Sequence, residues 1–165
     1  MNKITFIFAK NKYWWAVISR MIEKSEGLDF SHCAILIGDN VYESVWPKSR
    51  KMHIAKWYKT YVPYGMYSFS CDELTHYRIK AECEKKTGVW YSWVQILMIY
   101  AGIAFPFLNK YLEKVSWNGH KYLICTELCG EIAANHFGVK FEEELDNLSL
   151  RELRDCIEAN IMRVS

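Results

Sequence analysis

The chain has 165 residues, 51% of them hydrophobic and 24% charged, a composition typical of one globular domain and unlike that of a disordered or fibrous chain. A domain of this length buries about 68–70% of its unfolded surface and needs neither disulfides nor a structural metal. Its 21 basic and 19 acidic residues leave a formal charge of +2, far from the basic excess of a general nucleic-acid binder. We therefore expect a single domain over residues 1–165 and no nucleic-acid partner.

The N-terminal half predicts strands, a hairpin and two helices. Its first apolar run, at 4–9, is too short for a signal-peptide core and precedes no cleavage site, which favours a cytoplasmic protein. Apolar spacing and turn residues predict a strand at 4–8, a helix at 14–22 stopped by Gly27, and hairpin strands at 30–37 and 41–45 around Gly38-Asp39-Asn40. A strand at 62–69 follows, and then a helix that a capping box at 70–73 opens and Gly88 ends.

Residues 89–108 contain no charged side chain, over about the length that a bilayer core requires. Ser92, Gln95, Gly102 and Pro106 interrupt this segment, and its Trp and Tyr residues crowd into one half instead of flanking both ends. The favoured interpretation is a buried core helix. Contact with a membrane surface is the alternative, and a true span is the least favoured of the three.

Two further helices are predicted near the C-terminus. Apolar residues recur on one face of a helix at 126–137, which Gly138 follows. A second capping box, at 149–152, opens a last helix that buries Leu150, Leu153, Ile157 and Ile161. The elements together predict an α+β fold with an antiparallel sheet packed against helices.

One of the six cysteines stands out by its position. The sequence has no C-x-x-C pair, so reduced thiols are expected. Cys125 lies where a helix is predicted to begin, and the unpaired N–H groups and positive dipole end there lower the pKa of a thiol. The other cysteines lie inside predicted elements or at a cap, and they are expected to pack as small hydrophobic residues.

A nucleophilic thiol requires a base, and the base requires a group that orients it. His32 lies in the first strand of the predicted hairpin and Glu43 in the second. A turn centred near Asp39 places residue 32 opposite 45 or 46, so Glu43 is a diagonal neighbour within reach of the imidazole. A single bulge would move Glu43 to the other face.

The residues FSHCAILIGD at 30–39, VYES at 41–44 and YLICTEL at 122–128 resemble the circularly permuted branch of the NlpC-like, papain-fold cysteine hydrolases, in particular the YiiX-like proteins. Lecithin:retinol acyltransferase is a distant relative of this branch, in which the His hairpin precedes the Cys helix. The resemblance extends to the strand and helix at 4–22 and to DNLS at 146–149. It implies a permuted papain-like fold.

The resemblance also implies that Cys125 is the nucleophile, His32 the general base and acid, and Glu43 the residue that orients His32. Such a triad cleaves an amide or ester through a thioester, without metal or cofactor, and cell-wall peptides are one expected substrate class. The sequence departs from the family in Thr126, where Ser is common, and in the apolar character of 89–108.

Other functions remain open at this point. The same fold serves as a lipid acyltransferase or phospholipase, which the apolar segment 89–108 favours, or as a non-catalytic module that contacts a membrane surface. A metal site of His120, Cys125, Cys129 and His136 is a further alternative, but its spacing matches no common zinc pattern.

Overall fold

The computed structural model describes residues 2–13, 17–92, 98 and 122–164. Its strands are β1 (Asn2–Asn11), β2 (His32–Ile37), β3 (Asn40–Glu43), β4 (Arg50–His53), β5 (Tyr61–Cys71), β6 (Trp90–Tyr91) and β7 (Tyr122–Leu123). Its α-helices are α1 (Val17–Glu26), α2 (Ile54–Trp57), α3 (Glu73–Lys85), α4 (Cys125–Phe137) and α5 (Leu150–Val164), and a 3₁₀ turn lies at Leu145–Asn147. The fold is α+β.

Five strands form one antiparallel sheet in the order β4-β3-β2-β1-β5. The hairpin of β2 and β3 sets its register, because Ile37 pairs with Asn40 across a two-residue loop. Gly38 has a φ of +57° in this loop, at a position where two-residue hairpin loops need positive φ. The antiparallel pairing therefore brings the start of β2 and the end of β3 close together, at the open end of the hairpin.

The main core lies on one face of the sheet, between β1, β2 and the helices α4 and α5. Phe6, Cys33 and Ile35 are fully buried there, together with Leu128 of α4 and Leu153 of α5. A smaller cluster covers the opposite face, and it includes Ile7, Ala9, Ala34, Val41, Trp57 and Tyr61. Successive residues of β1 and β2 point to opposite faces of the sheet, and both faces are covered by a cluster. This explains why the sequences of β1 and β2 are nearly continuous apolar runs.

The helix starts differ in part from the sequence prediction. The capping box expected at 70–73 is wrong, because β5 continues to Cys71 and Asp72 caps α3 by accepting the Thr75 N–H at 2.8 Å. The last helix begins after Ser149 as expected, and Ser149 Oγ accepts the Glu152 N–H at 3.2 Å. The Glu152 carboxylate, however, bonds to the N–H groups of Glu142 and Glu143 instead of completing the box.

The segment 89–108 does not begin as a helix. Trp90 and Tyr91 form β6, which pairs in parallel with β7 and so holds the chain beside the start of α4. The rest of the predicted helix, at 93–97 and 99–108, lies outside the described residues. Within the part of the chain that is described, none of the helices has the length and apolar character needed to cross a bilayer.

Candidate active site

The hairpin places His32 and Glu43 in direct contact. The β2–β3 ladder ends with Ile35 opposite Tyr42, so His32 lies beyond the paired residues and Glu43 approaches it diagonally. The Nε2 atom of His32 and Oε2 of Glu43 are 2.7 Å apart. The diagonal contact expected from the sequence is therefore present, and no bulge interrupts this hairpin.

Glu43 is fully buried, and both of its carboxylate oxygens are hydrogen-bonded. Arg50 of β4 donates to Oε1 from Nε at 2.7 Å, and its Nη2 atom lies 2.7 Å from the same oxygen in an ion pair. Trp57 Nε1 donates to Oε2 at 2.9 Å, beside the bond to His32. Burial alone raises the pKa of Glu43, but the hydrogen bond and charge of His32, the charge of Arg50 and the Trp57 bond lower it below the ordinary value. The carboxylate is ionised at neutral pH.

Aromatic rings fix the plane of the imidazole. The ring of Tyr61 stacks on His32 with centroids 4.8 Å apart and an interplanar angle of 20°. Trp57 also stacks on Tyr61, with centroids 4.9 Å apart and an interplanar angle of 25°. Because Trp57 also donates to Glu43, the three buried residues Trp57, Tyr61 and Glu43 together fix the orientation of the His32 ring and its hydrogen bond to Glu43.

Cys125 is the first residue of α4 and is only 2% exposed. Its pKa is lowered well below the ordinary thiol value, first by a hydrogen bond from the Cys33 thiol and then, against the opposing effect of burial, by the hydrogen bond and positive charge of His32. Since Nε2 of His32 is bound to Glu43, Nδ1 is the nitrogen that can bond to the sulfur. The first N–H groups of α4 point to the same place and favour negative charge there.

The imidazole is correspondingly easy to protonate. Burial by itself lowers the pKa of His32, but the groups around it, Tyr61, Cys125 and Glu43, raise it well above 6.5. Burial raises the pKa of the Tyr61 phenol, so that group is neutral at pH 7. The charges that act on His32 near neutrality are therefore those of Cys125 and Glu43, and together they favour a thiolate and imidazolium pair.

Four of the other thiols are held in the protonated form. All six cysteines are free. Burial is the first cause of a raised pKa at Cys33, Cys71, Cys83 and Cys156, and the hydrogen bond to Cys125 raises the pKa of Cys33 further. The contacts of Cys125 with Cys33 and His32 thus separate it from the four thiols whose pKa is raised.

Sequence reasoning missed three residues of the site, Arg50, Trp57 and Tyr61. Arg50 and Trp57 come from β4 and α2, which the sequence did not predict, and Tyr61 precedes the strand predicted at 62–69. Tyr91 of β6 is close enough to Cys125 that the charge of that sulfur adds to burial in raising the pKa of the phenol. Only Met52 of the four residues of β4 is apolar, so no alternation of apolar residues marked this strand in the sequence.

The alternative metal site is incomplete in the described part of the chain. His136 pairs with Glu82 at 2.9 Å, and His120 lies outside the described residues. No three His, Cys, Asp or Glu side chains within the described ranges are grouped to hold a metal ion.

A scan against protein-family models and a search of curated proteins both returned no match for the chain. The family resemblance therefore depends on the motifs themselves and on the geometry described above.

Proposed function

We propose that the protein is a thiol hydrolase that cleaves an amide or ester through a thioester on Cys125. The observation that carries this proposal is the chain of contacts from the sulfur at the start of α4 to His32, and from His32 to a buried carboxylate at 2.7 Å. A nucleophile, a base and a group that orients the base are the parts that covalent acyl transfer requires.

The order of elements supports a permuted papain-like fold. The His hairpin precedes the Cys helix along the chain, and α4 packs against β2 so that its first residue lies near His32. Papain itself has the reverse order, and a permutation keeps the same spatial arrangement with a different connection. The same order, together with the sequence motifs, supports the proposed resemblance to the YiiX-like branch.

The reaction follows from the charges of the site. The Cys125 thiolate attacks the carbonyl carbon, and the carbonyl electron pair moves to oxygen, where N–H groups at the start of α4 stabilise the oxyanion. As the pair returns, the bond to the leaving group breaks and His32 donates its proton to that group. Water, activated by His32 in its neutral form, then releases the acyl group from sulfur. Glu43 holds Nε2–H throughout, so that Nδ1 carries out both proton transfers.

The proposal is tested by the reactivity of the six thiols. Iodoacetamide is applied to the folded protein from pH 4 to 9, and the alkylated peptides are mapped. We expect Cys125 to react at a pH at which the other five cysteines do not, and His32→Ala to abolish that difference because it removes the positive charge beside the sulfur.

Tyr77→Phe serves as a matched control, since Tyr77 is an exposed residue of α3. It should leave the alkylation profile unchanged. A wild-type profile in which Cys125 reacts no faster than the half-buried Cys71 or Cys156 would refute the proposed nucleophile.

A further inference from the structure

Thr126 carries a buried hydroxyl that the mechanism above does not use. The residue directly follows Cys125 in α4 and is 3% exposed. Its Oγ1 has no hydrogen-bond partner among the described residues. A buried, unpaired hydroxyl costs free energy, so it calls for a specific explanation.

The usual partner of a helical Thr hydroxyl is already occupied. Such a hydroxyl bonds to the carbonyl three or four residues earlier, and the carbonyl three residues before Thr126 is that of Leu123. This oxygen accepts Ser44 Oγ at 2.7 Å and the Ser92 N–H at 3.4 Å. Thr126 therefore keeps an unused O–H donor in the first turn of α4.

We propose that Thr126 is a catalytic residue whose hydroxyl donates to the oxyanion formed at Cys125, an inference that rests on the proposed thiol chemistry. Attack by the sulfur forms the C–S bond and leaves a full negative charge on the former carbonyl oxygen. That oxygen lies beside the first turn of the helix, where the backbone N–H groups of α4 also point. When the intermediate collapses, the electron pair returns to the C=O bond and the hydroxyl keeps its proton.

This role accounts for a donor that is unsatisfied in the resting protein. A group paired in the ground state would lose one hydrogen bond to gain another in the transition state. A preorganised donor without a partner gains a bond only when charge develops, and such bonds raise the rate most. The unpaired hydroxyl lowers the free energy of unfolding, and other interactions in the fold offset this loss.

The test compares two reactions of the same sulfur. Iodoacetamide alkylates the thiolate by displacement at a saturated carbon, which forms no oxyanion. p-Nitrophenyl acetate acylates it through a tetrahedral intermediate and releases p-nitrophenolate. We expect Thr126→Val to slow the acylation burst on the order of 10²-fold, to leave the alkylation rate at pH 7 unchanged, and not to lower the urea midpoint. Thr126→Ser should restore the burst.

Thr5→Val is the matched control, because Thr5 Oγ1 is paired with Ser68 Oγ at 2.8 Å in the sheet. It should lower the urea midpoint and leave both reactions of Cys125 unchanged. Thr126→Ala, which removes the hydroxyl without the shape of Val, gives the same comparison of rates if the Val variant does not fold.

Two outcomes would overturn the inference. In the first, Thr126→Val acylates at the wild-type rate, and the hydroxyl then merely holds a buried water. In the second, acylation and alkylation fall together, and Thr126 then acts on the thiolate and not on the oxyanion. Failure of the proposed function is distinguishable from both, since wild-type Cys125 would then show neither preferential alkylation nor an acylation burst.

Discussion

The thiolate and imidazolium pair proposed for Cys125 and His32 predicts a specific pH dependence of stability. The pKa of His32 is raised in the folded protein, so its contribution is complete below the unfolded pKa of about 6.5 and is lost as pH rises through the folded pKa. The pKa of Cys125 is lowered, so its contribution increases with pH until the unfolded pKa of about 8.5. The two changes have opposite signs.

The magnitude follows from counting protons. Between about pH 6.5 and 8.5 the folded pair holds one proton, on His32, and the unfolded chain also holds one, on the thiol of residue 125. These two groups then give no slope. Cys125→Ser removes the thiol proton from the unfolded chain and the negative sulfur from the folded protein. Glu43 still bonds to His32 in this variant and keeps the pKa of His32 above its unfolded value, although below that in the wild type. The folded variant then binds one proton more than its unfolded chain, and its unfolding free energy should fall by about 1.4 kcal/mol per pH unit above pH 6.5, until the pKa of His32 in the folded variant is passed.

The assay is urea unfolding at half-unit pH steps from 6 to 9, followed by the fluorescence of the buried Trp57 and the other tryptophans. Cys156→Ser is the control, since burial raises the pKa of that thiol and its proton is present in both states below the unfolded pKa of about 8.5. We expect the control to parallel the wild type. Cys125→Ser running parallel to them as well would show that Glu43 alone does not keep His32 protonated in the folded protein, and it would refute this reasoning.

Three further predictions concern the surroundings of the pair. Glu43→Gln offers a donor where His32 needs an acceptor and leaves the Trp57 N–H without a charged partner. We expect an ester burst slower on the order of 10³-fold and an unfolding free energy lower by about 1–3 kcal/mol in urea titrations. Arg50→Met should raise the pKa of Glu43 and raise the pH at which alkylation of Cys125 begins, and Arg50→Lys should raise that pH less. Identical alkylation profiles for the wild type and both variants would contradict this. Gly138→Ala should cost about 1 kcal/mol of unfolding free energy, because the glycine has a φ of +67°, and it should leave the alkylation of Cys125 unchanged.

Local signals in the sequence were sufficient for the elements that carry the proposed triad. The pairing of His32 with Glu43 depends only on the loop at Gly38, whose type fixes the register of a hairpin without help from the rest of the chain. The start of α4 at Cys125 was placed to within one residue, because apolar spacing and Gly138 mark that helix at both ends. Both signals act over a few residues.

The supporting residues could not be predicted in the same way. Arg50 lies in an edge strand of four residues in which only Met52 is apolar, and Trp57 lies in a helix of one turn. Neither element has a periodicity long enough to be recognised, and both exist because they pack on β3 and on the small cluster around Ile7. The contact between His32 and Cys125 joins residues 93 positions apart, so it requires the tertiary structure.

The site is best understood as an alternating row of charges. In the proposed ion pair Cys125 is negative and His32 positive; Glu43 is negative and Arg50 positive, and Arg50 is the most exposed of the four, with 43% of its side chain accessible to solvent. Each buried charge has an opposite neighbour, which is the condition under which charges are tolerated inside a protein. Removing any one of the four charges leaves the other three with a net charge and changes the pKa of the groups beside the removed one. The thiolate therefore depends on all four charges, and a substitution at Arg50, near the surface, is expected to change the pKa of the Cys125 thiol.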